Sequence, residues 1–324
     1  MVAAVRVHQV GGPEVLKYEE IQLKDPGPGE LRIKQTAIGL NFIDTYFRSG
    51  LYPAPSLPFI AGNEGAGVVS AVGPGVKGIK KGDRVAYVFT LGAYATERNL
   101  PAERAVKLPP KIDDRTGAAM MLKGMTAQYL LRRTYKVKKG DTILVHAAAG
   151  GVGLLLCQWA KHLGATVIGT VGSKEKAELA RKNGAHHTIL YNEENWVARV
   201  ADITKGKKCD VVYDGVGKST FMGSLDCLKP LGMMVIFGNA SGPVDALNTG
   251  LLAQKGSLFL TRPTLMTYTA SPKDLQATAK DLIDVISKKK VKIDIAQTYA
   301  LKDAQQAHRD LESRKTTGQT ILLP

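Results

Sequence analysis

Before residue 122, apolar residues come in short β-branched runs that Gly and Pro interrupt every few positions. The clearest runs are Val2–Val7, Leu31–Ile38, Gly67–Val72 and Arg84–Val88, and turn sequences such as Pro26-Gly27-Pro28-Gly29 separate them. Short runs between frequent turns are typical of antiparallel strands. This part of the chain is therefore predicted to form a compact, mostly antiparallel β domain.

After residue 122, short apolar runs alternate with amphipathic stretches of helical length. The predicted strands are Thr142–Ala147, Thr166–Thr170, Thr188–Tyr191, Asp210–Tyr213, Met233–Phe237 and Ser257–Leu260. The predicted helices are Val152–Leu163, Lys174–Asn183, Glu193–Thr204, Ser219–Leu228 and Ser271–Ser287. Strands that alternate with helices predict a doubly wound parallel sheet, so the fold class is α/β.

The tail of the chain, Lys292–Pro324, ends in the apolar run Thr320–Leu323. We expect this run to be a strand that returns to the β domain. The predicted domains are residues 1–121 together with 291–324, which form a catalytic domain, and residues 122–290, which bind a dinucleotide.

A glycine turn follows the first strand of the predicted parallel sheet. Ala148-Ala149-Gly150-Gly151-Val152-Gly153 stands between that strand and a helix, and it differs from the G-x-G-x-x-G pattern by alanine at its first position. Gly150 would let the backbone approach a pyrophosphate, and Gly153 would let the helix pack on the strand. The alternative is a purely structural turn.

The end of the second strand indicates which dinucleotide is bound. NAD sites place an acidic residue there to bind the ribose hydroxyls. This chain has no acid at that point and continues with Ser173, Lys174 and Lys176. A hydroxyl and two ammonium groups suit a 2′-phosphate, which predicts NADPH. The alternative is that the two lysines belong to a solvated helix start.

The charge of the chain is strongly basic, with 44 Lys and Arg against 29 Asp and Glu. Residues 122–290 carry 24 Lys and Arg against 13 Asp and Glu, whereas the rest carries 20 against 16. Such an excess favours anionic partners, namely nucleic acid, membrane surfaces or phosphorylated small molecules. The dinucleotide-binding half is thus where a phosphate site is expected.

Cysteine content and hydropathy exclude several classes of protein. Cys157, Cys209 and Cys227 are an odd set without C-x-x-C spacing, so neither a disulfide framework nor a four-thiolate zinc site is expected. Thr142–Ala160 has no Asp, Glu, Lys or Arg, but Ala149–Gly153 and Gln158 interrupt its apolar character, so no membrane span is expected. The first residues lack the apolar core of a signal peptide, and a cytoplasmic location is expected.

Several longer motifs place the chain in a known family. Gly140–Lys161 around the glycine turn, Gly39–Asp44, Gly62–Gly67 and Gly82–Val85 occur in one order along the sequence. On these motifs the chain resembles the NADPH:quinone oxidoreductases, the zinc-free, ζ-crystallin-like branch of the medium-chain dehydrogenase/reductase superfamily. The resemblance implies a GroES-like, mostly β catalytic domain and a Rossmann domain.

The chain departs from the zinc-dependent members of that superfamily at the metal positions. Those members use a Cys in the segment occupied here by Gly39–Asp44 and a His in a Gly-His-Glu triplet. This chain has Asn41 and the triplet Gly62-Asn63-Glu64, and it has no cysteine near residues 90–110. Without thiolate or imidazole ligands, no zinc site is expected.

The resemblance also implies which residues touch the cofactor. Gly150, Gly151 and Val152 would face the pyrophosphate, whereas Ser173, Lys176 and Arg314 would hold the 2′-phosphate. Tyr191 would lie against the adenine ribose. The remaining implied contacts are Asn41 and Thr126 near the nicotinamide, Phe237, Gly238, Asn239 and Ser241 at a strand end, and Thr261 and Arg262 after the last strand.

The substrate side is less defined. Tyr46 and Tyr52 are the candidates beside the quinone, and ordinary aromatic packing is the alternative for both. We expect His146 and Cys157 to belong to the core and Asp44 to be a structural hydrogen-bond acceptor. Lys123 is expected at a hinge or on the surface.

The function implied by the resemblance is reduction of a quinone by NADPH, by hydride or one-electron transfer, in a homodimer. The nearest alternative is an NADPH-dependent reductase of activated C=C bonds, such as those of alkenals and enones. An RNA-binding or crystallin-like structural role is the alternative of another class. No aromatic RNA-binding motif and no zinc finger appears in the sequence, so nucleic-acid binding is not favoured.

Overall fold

The computed structural model describes all residues from Met1 to Pro324. The chain divides into two compact units. The first contains Met1–Met125, Thr269–Ser287 and Ile293–Pro324, and the second contains Thr126–Tyr268 and Lys288–Lys292. The predicted domain boundaries stay a prediction, and these units differ from them mainly at residues 272–287, which pack with the first unit.

Eight strands and two helices come first along the chain. The strands are β1 (Val2–Val7), β2 (Leu16–Ile21), β3 (Glu30–Gly39), β4 (Phe59–Ile60), β5 (Glu64–Val72), β6 (Arg84–Val88), β7 (Glu97–Pro101) and β8 (Ala105–Lys107). The helices are α1 (Phe42–Ser49) and α2 (Asp114–Tyr129). A π-helical turn, Leu130–Thr134, continues α2.

Six strands and six helices follow. The strands are β9 (Thr142–Val145), β10 (Thr166–Val171), β11 (His187–Leu190), β12 (Cys209–Asp214), β13 (Leu228–Ile236) and β14 (Phe259–Thr261). The helices are α3 (Gly151–His162), α4 (Lys174–Lys182), α5 (Trp196–Ile203), α6 (Phe221–Asp226), α7 (Gly250–Gln254) and α8 (Leu265–Tyr268).

The last segment adds α9 (Pro272–Ser287), β15 (Ile295–Ala300), α10 (Ala304–Glu312) and β16 (Gln319–Leu323). Three short 3-10 helices lie at Pro13–Val15, Ala102–Arg104 and Leu301–Asp303. The longest helices, α2 and α9, have 16 residues each, and none of the helices has both the length and the apolar character that crossing a bilayer requires.

The first unit is built on a seven-stranded sheet in the order β15-β16-β3-β5-β6-β8, with β7 also pairing with β3. All of its pairings are antiparallel except β15 with β16. Alternate side chains of β3 and β6, among them Leu31, Ile33, Val85 and Tyr87, are fully buried in the core of this unit. The predicted return of the tail is confirmed, because Ile321 and Leu322 pair with Gly39 and Ile38.

The second unit contains a six-stranded sheet in the order β11-β10-β9-β12-β13-β14, and every pairing in it is parallel. The chain winds outward from β9 to β11, and then returns beside β9 to continue through β12 to β14. This is the doubly wound topology in which ligands bind at the carboxyl ends of the strands. The predicted α/β fold class is confirmed.

Local capping explains where the observed elements depart from the predicted ones. Helix α5 begins at Trp196 rather than at Glu193, because the Asn195 side chain accepts hydrogen bonds from the backbone of Val197 and Ala198.

Helix α1 was not predicted. The Asp44 carboxylate in its first turn accepts a hydrogen bond from the backbone N–H of Asn41, which stabilises the helix start.

Candidate functional site

The glycine turn leaves β9 at its carboxyl end, and Gly150 is the residue that precedes helix α3. A Cβ at Gly150 would meet only the carbonyl oxygen of Ala147, at 3.2 Å. A Cβ at Gly153 would lie 2.8 Å from Cα of Ala148, which is too close. Gly153 therefore packs the helix against the turn, whereas a side chain at Gly150 would meet only one carbonyl oxygen, in a tight contact before a helix N-terminus.

Gly151 and Val152 form the first turn of α3. The positive end of the helix dipole and the backbone N–H groups of such a turn favour an anion. These residues stand where the sequence predicted a pyrophosphate contact.

A second group of predicted residues lies at the carboxyl ends of β10 and β11. Ser173 caps helix α4, and its hydroxyl oxygen accepts a hydrogen bond from the N–H of Lys176 at 3.3 Å. Tyr191 follows β11 and is 40% exposed. A Cβ at Gly172 would lie 2.7 Å from the Tyr191 hydroxyl, so this tyrosine closes over the residue before Ser173.

One acidic residue near this group was missed by sequence reasoning. Glu175 lies in the first turn of α4, and hydrogen bonds with the Ser173 side chain and the helix backbone lower the pKa of its carboxyl. The Glu175 carboxylate takes the single O–H donor of Ser173, so a phosphate at this place would compete with Glu175 for it.

A third group lies at the carboxyl ends of β12 and β13. Phe237 and Gly238 follow β13, and the ring of Phe237 packs on Gly215. The Ser241 hydroxyl donates to the carbonyl of Val216 at 2.9 Å, which ties the segment of Asn239 and Ser241 to the segment after β12.

Asp214, the last residue of β12, holds that second segment and was not predicted as a site residue. Its Oδ1 accepts hydrogen bonds from the N–H groups of Val216 and Gly217, at 2.8 and 3.0 Å. Its Oδ2 accepts from the hydroxyls of Thr220 and Ser224, at 2.7 and 3.1 Å. An aspartate followed by Gly-Val-Gly at a strand end was the available signal.

His146 lies behind this edge and belongs to the core, as predicted. The ring stands between the hydroxyls of Thr170 and Ser224, each at 2.9 Å. Because Ser224 donates to Asp214, it accepts from Nε2–H of His146, and Thr170 then donates to Nδ1. Burial lowers the pKa of His146, against the effect of Asp214. Cys157 is likewise buried, as predicted.

The other predicted residues of the second unit lie at the end of β14 and on helix α2. Thr261 ends β14, beside β13, and Arg262 follows it with a hydrogen bond from its guanidinium to the carbonyl of Pro263. Thr126 lies on α2 and is buried. One edge of the parallel sheet therefore carries Gly150, Gly151, Val152, Ser173, Lys176, Tyr191, Phe237, Gly238, Asn239, Ser241, Thr261 and Arg262.

The first unit holds a separate buried polar cluster around Asn41. The Asn41 side-chain amide donates to Oε2 of Glu64 at 2.8 Å, and the Leu122 N–H donates to Oε1 at 2.7 Å. The side-chain oxygen of Asn41 is buried and has no hydrogen-bond partner. An unsatisfied buried acceptor is rare in native proteins and is often completed by a ligand.

Asp44 is the hydrogen-bond acceptor that the sequence predicted. Its carboxylate accepts from the Asn41 N–H at 2.9 Å, from the Asn63 amide at 2.8 Å and from the Tyr94 hydroxyl at 3.1 Å. Burial raises the pKa of Asp44 to about 6, and these three hydrogen bonds act against the rise.

Lys123 is half-buried within the same cluster rather than at the open surface. Its ammonium donates to the carbonyl oxygen of Leu40 at 2.8 Å. Burial lowers the pKa of Lys123, and the nearby Glu64 and Asp44 oppose that shift. Burial also raises the pKa of Glu64, which Lys123 and Asn41 oppose.

The residues at this place do not fit a zinc ion. The side chains of Asn41 and Asn63 donate to Glu64 and Asp44, so both carboxylates are already held by hydrogen bonds. No group of three or more His, Cys, Asp or Glu side chains in the protein is arranged to hold a metal ion. Amides are poor zinc ligands beside thiolate and imidazole.

The two predicted tyrosines lie on and after helix α1. The rings of Tyr46 and Tyr52 meet edge to face with centroids 5.2 Å apart, and Phe47 contacts Tyr52 at 6.0 Å. Both tyrosines are half-buried. Arg314 is exposed in the tail after α10, with a left-handed backbone at φ 59°. The roles of these three residues stay predictions.

Comparisons with known proteins agree with this architecture. The model of the alcohol dehydrogenase GroES-like domain matches residues 27–139, and that of the zinc-binding dehydrogenase family matches residues 151–287. The quinone oxidoreductase of Pseudomonas aeruginosa is 56% identical over the full length of both chains. A 2-haloacrylate reductase of a Burkholderia species is 47% identical over all of this chain and 99% of that protein.

A solved structure is similar at the same level. The Escherichia coli quinone oxidoreductase in complex with NADPH is 52% identical and superimposes with a TM-score of 0.98 over 99% of this chain and all of the other. Fold and sequence agree from end to end, and the chain belongs to the quinone oxidoreductases of the zinc-binding dehydrogenase family.

Proposed function

We propose that this protein reduces quinones with NADPH and uses no metal ion. The observation that carries the proposal is the end of β10, where Ser173 and Lys176 begin helix α4 and no acidic residue ends the strand. A ribose 2′-phosphate needs hydroxyl and ammonium donors at this position, and a ribose hydroxyl needs a carboxylate. The relatives named above support the quinone as acceptor.

NADPH would lie across the carboxyl edge of the parallel sheet. Gly150, Gly151 and Val152 would take its pyrophosphate, and Tyr191 would lie against the adenine ribose. Arg314 would add a second cation to the 2′-phosphate. The cofactor supplies the hydride or the electrons for the reaction.

The protein itself would position the cofactor and the quinone and keep water away from them. The free oxygen of Asn41 is an acceptor for the nicotinamide end of the cofactor, and Thr126 is the second predicted neighbour there. Phe237, Gly238, Asn239 and Ser241 would line the cofactor, with Thr261 and Arg262 beyond them. Tyr46 and Tyr52 would stack on or hydrogen-bond to the quinone. Correct placement alone lowers the barrier of such a transfer substantially.

The assembly that fits the fold is a homodimer. Strand β14 is the edge strand of its sheet, and Phe259 on this strand is 56% exposed. A second copy could extend the sheet along that edge. Sedimentation equilibrium of the wild type and of Phe259→Lys would test it, because a charged residue at a pairing edge should shift the protein toward monomer.

A second candidate function is reduction of an activated C=C bond by NADPH. The 2-haloacrylate reductase among the relatives favours it, since haloacrylate carries such a bond. Turnover of a quinone, an enal and 2-haloacrylate should be measured side by side at equal enzyme concentration. Faster turnover of the enal or haloacrylate would replace the quinone as the principal acceptor.

The main experiment measures cofactor affinity first and quinone reduction second. Calorimetry should show NADPH bound at least about tenfold more tightly than NADH, the difference that one phosphate held by charged donors makes. Stopped-flow absorbance of the reduced nicotinamide should then show oxidation with several quinones. Equal affinity for both cofactors, or no oxidation with any quinone, would refute the proposal.

A further inference from the structure

The amino edge of the parallel sheet, opposite the carboxyl edge, carries a dense group of cations. Strands β11, β10 and β9 are adjacent and parallel, so the segments that enter them lie side by side. We call residues 136–141, 161–165, 181–187 and 288–292 the basic edge.

Hydrogen bonds hold the four segments of the basic edge together, directly or through the neighbouring residues Val167 and Gln158. The N–H of Gly140 donates to the carbonyl of Gly164 at 3.0 Å. The N–H of Val167, just after the second segment, donates to Nδ1 of His186 at 3.0 Å. The Gln158 side chain on α3 exchanges two hydrogen bonds with the backbone of Lys292, at 2.8 and 3.2 Å.

The charge of the basic edge is almost entirely of one sign. Its exposed cations are Lys136, Lys138, Lys139, Lys161, Arg181, Lys182, Lys288, Lys289, Lys290 and Lys292. Asp141 is its single carboxylate, and Oδ2 of that residue accepts the N–H of Lys138 at 2.8 Å. At the same end of the sheet, Lys205, Lys207 and Lys208 precede β12 and add to the positive charge, whereas Lys229 pairs with Asp210 and Lys255 with Asp226.

The proposed cofactor does not account for this charge. Its phosphates would sit at the carboxyl ends of the strands, at Gly150 and Ser173, whereas the basic edge lies at the amino ends. Like charges that lie close together on one surface repel each other, and a bound anion reduces that repulsion. The basic edge thus fits a second anionic partner, and that partner is extended because the four segments share one surface.

We propose that the basic edge docks the protein on an anionic lipid surface. Nine of its ten cations are lysines, and it contains no Phe, Tyr or Trp. Nucleic-acid surfaces use aromatic stacking on bases or arginine at base edges. The basic edge has only one arginine, Arg181, whose guanidinium donates to the Thr188 hydroxyl at 2.6 Å. Clusters of four to eight Lys or Arg residues bind anionic lipid headgroups through charge alone. The docking is peripheral and leaves the carboxyl edge free for the cofactor.

The test uses the full-length protein and two variants of equal charge. The first replaces five basic-edge residues by glutamine, namely Lys138, Lys139, Lys161, Lys289 and Lys290. The matched control replaces five exposed lysines of the first unit, namely Lys17, Lys24, Lys77, Lys81 and Lys111. Co-sedimentation is measured with vesicles of phosphatidylcholine alone and of phosphatidylcholine with phosphatidylglycerol. Thermal melting and quinone turnover verify that both variants fold.

We expect the wild type to bind the anionic vesicles only, and to be released at about 1 M salt, where the Debye length is about 3 Å. The basic-edge variant should bind at least about tenfold more weakly, and the control within about twofold of the wild type. Saturating NADPH should leave vesicle binding unchanged. Equal weakening in both variants, binding to neutral vesicles, or tighter binding to duplex RNA than to vesicles would overturn the proposal.

Discussion

The guanidinium of Arg48 donates a hydrogen bond to Nδ1 of His308 at 3.0 Å, across 260 positions of the sequence. Because a guanidinium cannot accept, His308 carries its proton on Nε2, from which it donates to the Tyr94 hydroxyl at 3.0 Å. Tyr94 then donates to Asp44. Arg48 therefore sets the donor-to-acceptor direction of this series of buried hydrogen bonds. Each of these hydrogen bonds stabilises the ionised form of Asp44.

Replacing Arg48 by alanine should destabilise the first unit. Arg48 is nearly fully buried and also donates to both carboxylate oxygens of Glu312, so its loss leaves His308 without a donor. We expect a loss of about 2 kcal/mol or more in the free energy of unfolding, measured by urea denaturation. Arg309→Ala, on helix α10 next to His308, is the control and should cost under about 0.5 kcal/mol, because Arg309 is exposed. Equal costs for the two variants would contradict this series of buried hydrogen bonds.

His308 should make stability depend on pH. Burial, with Arg48 nearby, lowers the pKa of His308 to about 3 from 6.5. The unfolded chain therefore binds a proton between these values that the folded chain does not. The stability that His308 contributes is present above pH 6.5 and falls as the pH falls toward 3. Asp44 acts in the opposite direction, because its raised pKa makes the folded state bind the extra proton.

The measurement is the free energy of unfolding of the wild type and of His308→Gln at about pH 7 and about pH 5. The wild type should lose about 2 kcal/mol more than the variant over that interval, since the unfolded histidine is then largely protonated. A difference between the two proteins that stays constant with pH would show that folding does not shift the pKa of His308.

Alanine substitutions of Gly153 and Gly150 in the turn should have different effects on stability and on NADPH binding. Gly153→Ala places a methyl group against the backbone of Ala148 and should cost about 2 kcal/mol or more of stability. Gly150→Ala has a φ of −79° and one tight contact, 3.2 Å from the Ala147 carbonyl oxygen, so it should lower the melting temperature less than Gly153→Ala does. Its methyl group would point into the space proposed for the pyrophosphate, and NADPH affinity should fall at least about tenfold. Unchanged NADPH binding by Gly150→Ala would remove the turn from the proposed site.

Lys176 should contribute to the affinity for NADPH but not to the affinity for NADH. Lys176→Ala removes an ammonium from the proposed 2′-phosphate site and should weaken NADPH about tenfold, whereas NADH binding should hardly change. Lys182→Ala removes the same charge from the exposed last residue of helix α4, at the opposite end of the helix from Ser173, and is the matched control. Calorimetry with both cofactors gives the comparison. A parallel loss of NADH affinity would mean that Lys176 acts on the fold rather than on the phosphate.

The sequence by itself determined the alternation of strands and helices, the glycine turn and the basic balance of the second half. These features are local, because strand and helix periods and turn residues act over a few neighbouring positions. They were enough to predict the α/β class and a doubly wound parallel sheet, whereas the order of the strands is known from the tertiary structure. The motifs around Asn41 and Gly150 were enough to predict the family.

Only the tertiary structure decided the partners of the polar side chains. Arg48 meets His308, and Asn41 meets Glu64, through contacts that no local pattern specifies. The same holds for the four segments of the basic edge, which are scattered over some 150 positions and meet because the strands they enter are neighbours. Which distant groups become neighbours depends on how whole elements pack, and that packing is a property of the entire chain.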